Sequence, residues 1–195
     1  MPIVTSAEAG ERKFAYFDYD KQEARVIALF SGEEWIIEQL QPGKDLWMHA
    51  ARLVWPEIDD PAWLTRGKTC SSDEERAKLA ASVKKNLRNF VKRPSYGAFY
   101  RGSPEALWQN ILKDDPDVKR EDIAHVVTMI QQHSPRVMAW HEELFREVAS
   151  PPHELRGRFS HRLWSWPLGR WSPNDVVNYP VQEMGAWIMS ESWRR

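Results

Sequence analysis

The sequence predicts an α+β protein that is predominantly helical, and three observations lead to this fold class. One aromatic segment near the start, residues 12–19, has the composition of a strand. Most of the following chain has apolar residues at helical spacing, with repeated helix-start signals. One late segment, residues 155–171, has the aromatic residues and glycines of a ribbon or hairpin. So few strands do not make a self-sufficient sheet.

The expected elements follow in order from these signals. The first strand leads directly into a helix that Gly32 ends. Ser72 and Glu75 fit a capping box that begins a long helix, and Pro94 is expected to kink or restart that helix just after residue 93. A serine followed by proline marks two later helix starts. The complete expectation is helices over residues 21–30, 33–40, 45–54, 72–93, 104–112, 120–133, 135–149 and 174–193, a loop over 56–72, and the ribbon over 155–171.

Length and composition limit the class of protein. A chain of 195 residues with 42% hydrophobic residues is long enough to bury a core and is neither disordered nor collagen-like. It has no apolar run of bilayer-spanning length and no signal-peptide pattern, so we expect a soluble, cytoplasmic protein with no membrane partner. The single Cys70 has no second thiol for a disulfide or zinc site, and no histidine spacing matches a metal motif.

Basic residues are segregated along the chain, although the net charge is only -1. Eight lysines and arginines and no acidic residue occur between residues 76 and 104. Four arginines occur with three aromatic residues and no acid between residues 156 and 170. Such stretches can pair with phosphates while their rings contact bases. A solvated helix face over an aromatic core explains the same pattern, so charge alone leaves both interpretations open.

Carboxylates stand at the junction between the first strand and the first helix. Asp18 and Tyr19 end the strand, and Glu23 follows on the helix. Mg²⁺ in proteins is commonly bound by one or two carboxylates together with substrate phosphates, so this junction is a candidate magnesium site. The alternative is that Asp18 or Asp20 only caps the helix.

A second group of residues has the spacing of one helical ridge. Arg88, Lys92, Tyr96 and Tyr100 follow one another at intervals of four residues, which places all four along the same side of a helix. Two cations followed by two rings suit a ligand with a phosphate end and a flat end, such as a nucleoside triphosphate. A basic helix whose tyrosines pack inward is the alternative.

In this order and spacing, the motifs resemble those of family A DNA polymerases, the bacterial polymerase I and phage replicative group. The resemblance extends from about residue 14 to residue 188. The matching residues are Asp18, Tyr19, Glu23 and Arg25 in motif A, Arg88, Lys92, Tyr96 and Tyr100 in motif B, Gly169 and Arg170 in a G-R segment, and Asn178, Pro180 and Gln182 in an N-x-P-x-Q segment.

The resemblance implies a fingers subdomain with a partial palm, that is, an incomplete polymerase fold. A palm segment with motif A would occupy residues 1–32, and helical fingers with motif B would occupy residues 33–150. Residues 151–195 would form a ribbon and a helix that return to the palm. The implied activity is template-directed nucleotidyl transfer from dNTP by two-metal-ion chemistry.

The resemblance also implies a role for each matching side chain. Asp18 and the Tyr19 carbonyl would bind Mg²⁺. Glu23, helped by Tyr96, would lie beneath the incoming sugar and exclude a ribose 2′-hydroxyl, while Tyr100 would stack near the template base. The implied triphosphate ligands are Arg88 and Lys92, and the implied contacts to primer-template DNA are Arg170, Asn178 and Gln182.

This sequence departs from the family pattern at several positions. Pro94 lies inside the motif B helix, Arg101 replaces the glycine that usually follows the second tyrosine, and Gly102 is the residue expected to take over that role. Trp47 occupies a position where the family often has histidine.

Motif C, H-D-E on a hairpin, has no match. His141, Glu142 and Glu143 resemble it superficially but precede the N-x-P-x-Q segment and have a helical pattern. We therefore expect one chain of a split polymerase, viral and located in the host cytoplasm, which is inactive without a second fragment that carries motif C. The alternatives are a non-catalytic nucleic-acid-binding protein derived from a polymerase and a basic helical interaction protein.

Overall fold

The computed structural model describes residues 19–166 and 170–194. Within these ranges the protein is predominantly helical with one small antiparallel hairpin, which confirms the helical character predicted from the sequence. The predicted strand over residues 12–19 lies outside the described residues except for its last residue. The helices are α1 (Gln22–Ser31), α2 (Glu34–Gln39), α3 (Leu46–Val54), α4 (Pro61–Leu64), α5 (Asp73–Phe99), α6 (Pro104–Ile111), α7 (Arg120–Gln132), α8 (Pro135–Ala149) and α9 (Pro173–Trp193).

The hairpin lies between α8 and α9. Strand β1 (Glu154–Arg156) pairs antiparallel with β2 (Leu163–Ser165), and Leu155 is directly opposite Trp164. A small buried cluster of Val148, Leu155, Trp166 and Val176 attaches the hairpin to the two helices. The predicted ribbon is therefore present, with strands that are shorter than the segment assigned to it.

The prediction that residues 56–72 form a loop is wrong for the first half of that segment. A 3₁₀ turn spans Pro56–Asp59, and α4 follows it directly. The Asp60 carboxylate accepts a hydrogen bond of 2.8 Å from the backbone N–H of Ala62 and so caps α4. Proline at the first helical position starts a helix here and does not break one. Ile58 and Leu64 are buried and fix the segment to the core.

Helix α5 is longer than predicted because it continues through Pro94 to Phe99. The predicted cap is present: the Ser72 hydroxyl accepts a hydrogen bond of 3.2 Å from the Glu75 N–H. A proline inside a helix removes one backbone hydrogen bond and crowds the preceding turn. Val91 and Phe99, on either side of Pro94, are fully buried. Their packing stabilises an uninterrupted helix despite this cost.

The end of α5 is a Schellman motif with an arginine in its left-handed position. The Gly102 N–H donates to the Gly97 carbonyl at 2.8 Å, and the Arg101 N–H donates to the Ala98 carbonyl at 3.3 Å. Arg101 has φ 56°, a conformation in which a Cβ atom is unfavourable and glycine is usual. The left-handed residue is thus Arg101 itself, so the expectation that Gly102 takes over this role is wrong.

The main core joins α1, α3, α5 and α7, and α9 packs across α1 and α8. Glu33, only 5% exposed, accepts a hydrogen bond of 2.9 Å from the Arg136 N–H and so holds the start of α8 against the start of α2. Over the part of the chain that the structure describes, no helix has both the length and the apolar character needed to cross a bilayer.

Candidate functional site

A cavity of about 620 Å³ lies where the last turn of α5 meets α6 and the first half of α9. Four residues predicted from the sequence line it together: Glu23 from α1, Tyr96 and Tyr100 from the end of α5, and Asn178 from α9. The volume is within the range of small-molecule sites, roughly 300–1,000 Å³. Residues that are far apart in sequence therefore meet in one concave site.

The α9 wall of the cavity is polar and is attached to both other walls. Asn174 and Asn178 lie four residues apart and so face the same side of α9. The Asn174 side-chain amide donates to the Tyr100 carbonyl at 2.9 Å, and the Gln182 amide lies 3.5 Å from the Glu23 carboxylate. Gln182 is thus adjacent to the motif A glutamate although it does not itself line the cavity.

Tyr100 presents a protonated hydroxyl beside a carboxylate. Burial raises the pKa of this phenol well above its usual value, and the nearby Glu23 charge adds to the rise. The hydroxyl oxygen is buried and lies near the Glu23 carboxylate and the Gln182 side-chain amide, although neither forms a hydrogen bond of good geometry with it.

Tyr96 and Lys92 both pack on Trp47. The Tyr96 and Trp47 rings are 4.9 Å apart at an interplanar angle of 57°, and the Lys92 Nζ lies 5.9 Å from the centre of the Trp47 ring. Trp47 itself is 3% exposed. The tryptophan that replaces the family's usual histidine is therefore a packing support for the ridge on α5.

Arg88 and Lys92 do not line the cavity, because their side chains are directed at Asp45 and Trp47 at the start of α3. Arg88 donates through Nε to the Asp45 carboxylate at 2.6 Å, and Asp45 also caps α3 by accepting from the N–H groups of Trp47 and Met48. Partial burial raises the pKa of Asp45, but the hydrogen bonds from Arg88 and Met48 outweigh it, and the pKa lies below its usual value.

The cations at the cavity are Arg93 and Lys113, which we did not predict as site residues. Arg93 forms an ion pair of 2.6 Å with Asp114, and Lys113 donates to the Asn110 side chain at 3.1 Å. Arg93 belongs to the basic stretch between residues 76 and 104, but that stretch does not indicate which of its cations lines the cavity. Lys113 follows α6, and nothing in its sequence context indicates that α6 turns it toward α5.

Gly97 allows α6 to pack closely on the cavity end of α5. A Cβ atom at Gly97 would lie 2.9 Å from the Leu107 Cγ, closer than real Cβ atoms approach a neighbour. Both residues line the cavity. The position of α6, and with it the width of the cavity, therefore depends on a glycine that sequence reasoning did not single out as a site residue.

The predicted metal ligands are only partly described. Asp18 lies outside the described residues, and so does Gly169 of the G-R segment. Tyr19 and Asp20 border a separate groove between α1 and α9, where the Tyr19 hydroxyl is 2.5 Å from the Ser192 hydroxyl. Residues 19–166 and 170–194 include no group of three or more His, Cys, Asp or Glu side chains that could hold a metal ion.

The remaining predicted residues lie away from the cavity. Arg170 is exposed and does not line it. His141 lies on α8, as the helical pattern indicates, and is fully buried against the rings of Trp140 and Phe145. This helical and buried position agrees with its rejection as part of a motif C hairpin.

Comparisons with models of known protein families and with curated protein sequences found no match. The resemblance to family A polymerases therefore depends on the motif residues alone, and the function derived from it stays a prediction.

Proposed function

We propose that this chain is a segment of a template-directed DNA polymerase and that its cavity binds the incoming deoxynucleoside triphosphate. The observation that carries the proposal is the convergence of Glu23, Tyr96, Tyr100 and Asn178 on one cavity. The motif resemblance assigns three of them to the nucleotide and its template base and the fourth to the primer-template duplex. Three separate helices supply them.

The sugar of the nucleotide would lie against Glu23 and Tyr96. Glu23 is half-buried, lines the cavity together with Tyr96, and lies 3.5 Å from the Gln182 side-chain amide. We propose that Glu23 and Tyr96 discriminate against the ribose 2′-hydroxyl, and that the Tyr100 ring contacts the base.

The triphosphate would extend from Tyr96 along α5. Lys92 is one turn and Arg88 two turns from Tyr96, which is about 6 Å and about 12 Å along the helix axis. Lys92 is exposed, and its ammonium group lies over the Trp47 ring. Among the described residues it forms no ion pair. Arg88 is oriented by Asp45 and retains further N–H donors for a phosphate.

Completing the active site requires residues outside those described. Magnesium ions would stabilise charge on the reacting phosphoryl oxygens in this class of reaction. Asp18, which the resemblance assigns to the metal, is not among the described residues, and motif C would come from sequence outside these 195 residues. The roles proposed for the described side chains are therefore limited to binding and orienting the nucleotide.

The proposal is tested by calorimetric titration of dTTP into the purified protein and a pair of matched variants. Lys92→Ala removes the proposed phosphate ligand, and Lys85→Ala removes another exposed lysine of α5 that has no carboxylate partner in the described ranges. A charge-assisted hydrogen bond contributes about 1.5–3 kcal/mol, so we expect Lys92→Ala to weaken binding by roughly 10- to 150-fold. Lys85→Ala should change it by less than about twofold.

Lys113→Ala is not a suitable control, because Lys113 lines the cavity, and its replacement should also weaken binding. Equal effects of Lys92→Ala and Lys85→Ala would contradict the assignment of the ridge to the triphosphate. Salt-dependent DNA binding with no detectable dTTP binding would instead indicate a non-catalytic nucleic-acid-binding protein.

A further inference from the structure

The hairpin carries arginines that no acidic side chain neutralises. Arg156, Arg158 and Arg162 are exposed, and none forms an ion pair with any carboxylate of the described residues, whereas Arg52, Arg93 and several other basic side chains of the helical part do. Within the two strands, the acidic residue is Glu154, which is half-buried on β1. Glu183 and Glu191 line the same groove as Arg162, so the cations without a nearby carboxylate are concentrated away from that groove, at Arg158 in the turn.

An aromatic pair joins the hairpin to α9: Trp164 of β2 is exposed and Tyr179 is half-buried. Trp164 is 52% exposed, and its ring centre is 5.5 Å from that of Tyr179 on α9. Arg162 precedes Trp164 by two residues, which in extended chain places the two side chains on the same face. The Tyr179 hydroxyl donates to the Arg162 carbonyl at 2.8 Å, so the pair is fixed relative to the turn.

The turn between the two strands is anchored to helix α9. The buried Glu183 of α9 accepts a hydrogen bond of 3.0 Å from the Ser160 N–H. Gly157 packs so closely on this carboxylate that a Cβ atom there would be 2.5 Å from the Glu183 Cδ. The rings and arginines are thus held on a fixed support, which lowers the entropy that a ligand must remove on binding.

We propose that this hairpin face, defined by Arg158, Arg162, Trp164 and Tyr179, binds single-stranded DNA. Arg156 pairs with Leu163 and so lies on the opposite face of the strands. Exposed rings accept unstacked bases without regard to sequence, and neighbouring arginines pair with the phosphates. The bases of a duplex are stacked on one another and do not reach such rings, so a single strand fits this face better than a double helix. The face is separate from the nucleotide cavity and does not depend on the proposed polymerase activity.

The test is fluorescence anisotropy of labelled dT12 with the purified full chain, in the absence of dNTP and magnesium. Loss of a base-stacking ring typically weakens binding by roughly 5- to 150-fold, and we expect this of Trp164→Ala. Trp164→Tyr should retain most of the affinity because it keeps a ring. Trp193→Ala is the matched control, since Trp193 is 75% exposed at the end of α9, and it should change affinity by less than about twofold.

The salt dependence tests the arginines. Each lost phosphate contact lowers the slope of log K against log salt by roughly 0.7 for single strands, and we expect this for Arg158→Gln. Arg120→Gln, at an arginine already paired with Glu105, should leave the slope unchanged. Equal affinity of Trp164→Ala and Trp193→Ala, or equal binding of dT12 and a 12-base-pair duplex, would overturn the proposal. Neither result bears on dTTP binding in the cavity.

Discussion

Replacing Gly97 with alanine places a methyl group where α5 and α6 are in closest contact. The new Cβ atom would lie 2.9 Å from the Leu107 Cγ, so the leucine side chain must move. Overpacking of this kind costs about 1–3 kcal/mol. Alanine gains about 1 kcal/mol over glycine in a helix interior. We therefore expect Gly97→Ala to lower the free energy of unfolding by about 0–2 kcal/mol.

A double-mutant cycle with Leu107→Ala separates the two contributions. In the Leu107→Ala protein the leucine side chain is absent, so Gly97→Ala should stabilise the fold by about 1 kcal/mol. Urea unfolding of all four proteins gives the coupling energy, which we expect to be about 1–3 kcal/mol. Additive effects of the two substitutions would show that the leucine does not restrict Gly97, and would refute the explanation of how the cavity wall is formed.

Two further predictions concern the contact between α5 and α8. Burial, assisted by the nearby Arg101 charge, lowers the pKa of His141 from 6.5 to about 4, so the unfolded chain binds a proton that the folded protein does not bind between these pH values. The folded protein therefore has its full stability above pH 6.5, and its free energy of unfolding falls by up to about 3 kcal/mol as the pH is lowered toward 4. Urea unfolding at pH 7 and pH 4.5 measures this change. The decrease in the free energy of unfolding should be smaller for His141→Phe than for the unmodified protein. Arg101→Gly and Arg101→Ala both lose the ion pair with Glu142 and the contact with Phe145, but only glycine relieves the left-handed backbone. We expect the glycine variant to be more stable than the alanine variant by about 1–2 kcal/mol, and equal stabilities would contradict the strain at this position.

Helix starts were predictable from the sequence where local chemistry decides them. The serine and proline at 134 and 135 mark the start of α8, and the structure places α8 over Pro135–Ala149, as predicted. The continuation of α5 through Pro94 was not predictable in this way. It depends on the burial of Val91 and Phe99 by other helices, which local sequence does not encode.

The candidate site was predictable to the extent that helical spacing determines it. Four-residue spacing predicted that Tyr96 and Tyr100 share one side of a helix, and both line the cavity. The same spacing also linked Arg88 and Lys92 to them, but it could not show that these two side chains are directed at Asp45 and Trp47 and not at the cavity. Gly97 and Lys113 were missed because their positions depend on how α6 packs against α5.

The most direct measurement of the proposed nucleotide site compares the binding of dATP and ATP to the purified protein and to Glu23→Ala. Glu23 lines the cavity beside Tyr96, where we place the sugar. We expect the unmodified protein to bind dATP more tightly than ATP, and Glu23→Ala to bind both with similar affinity. Equal binding of the two nucleotides by the unmodified protein, or a preference for dATP that persists without the Glu23 carboxylate, would contradict the assignment of this cavity to a deoxynucleotide.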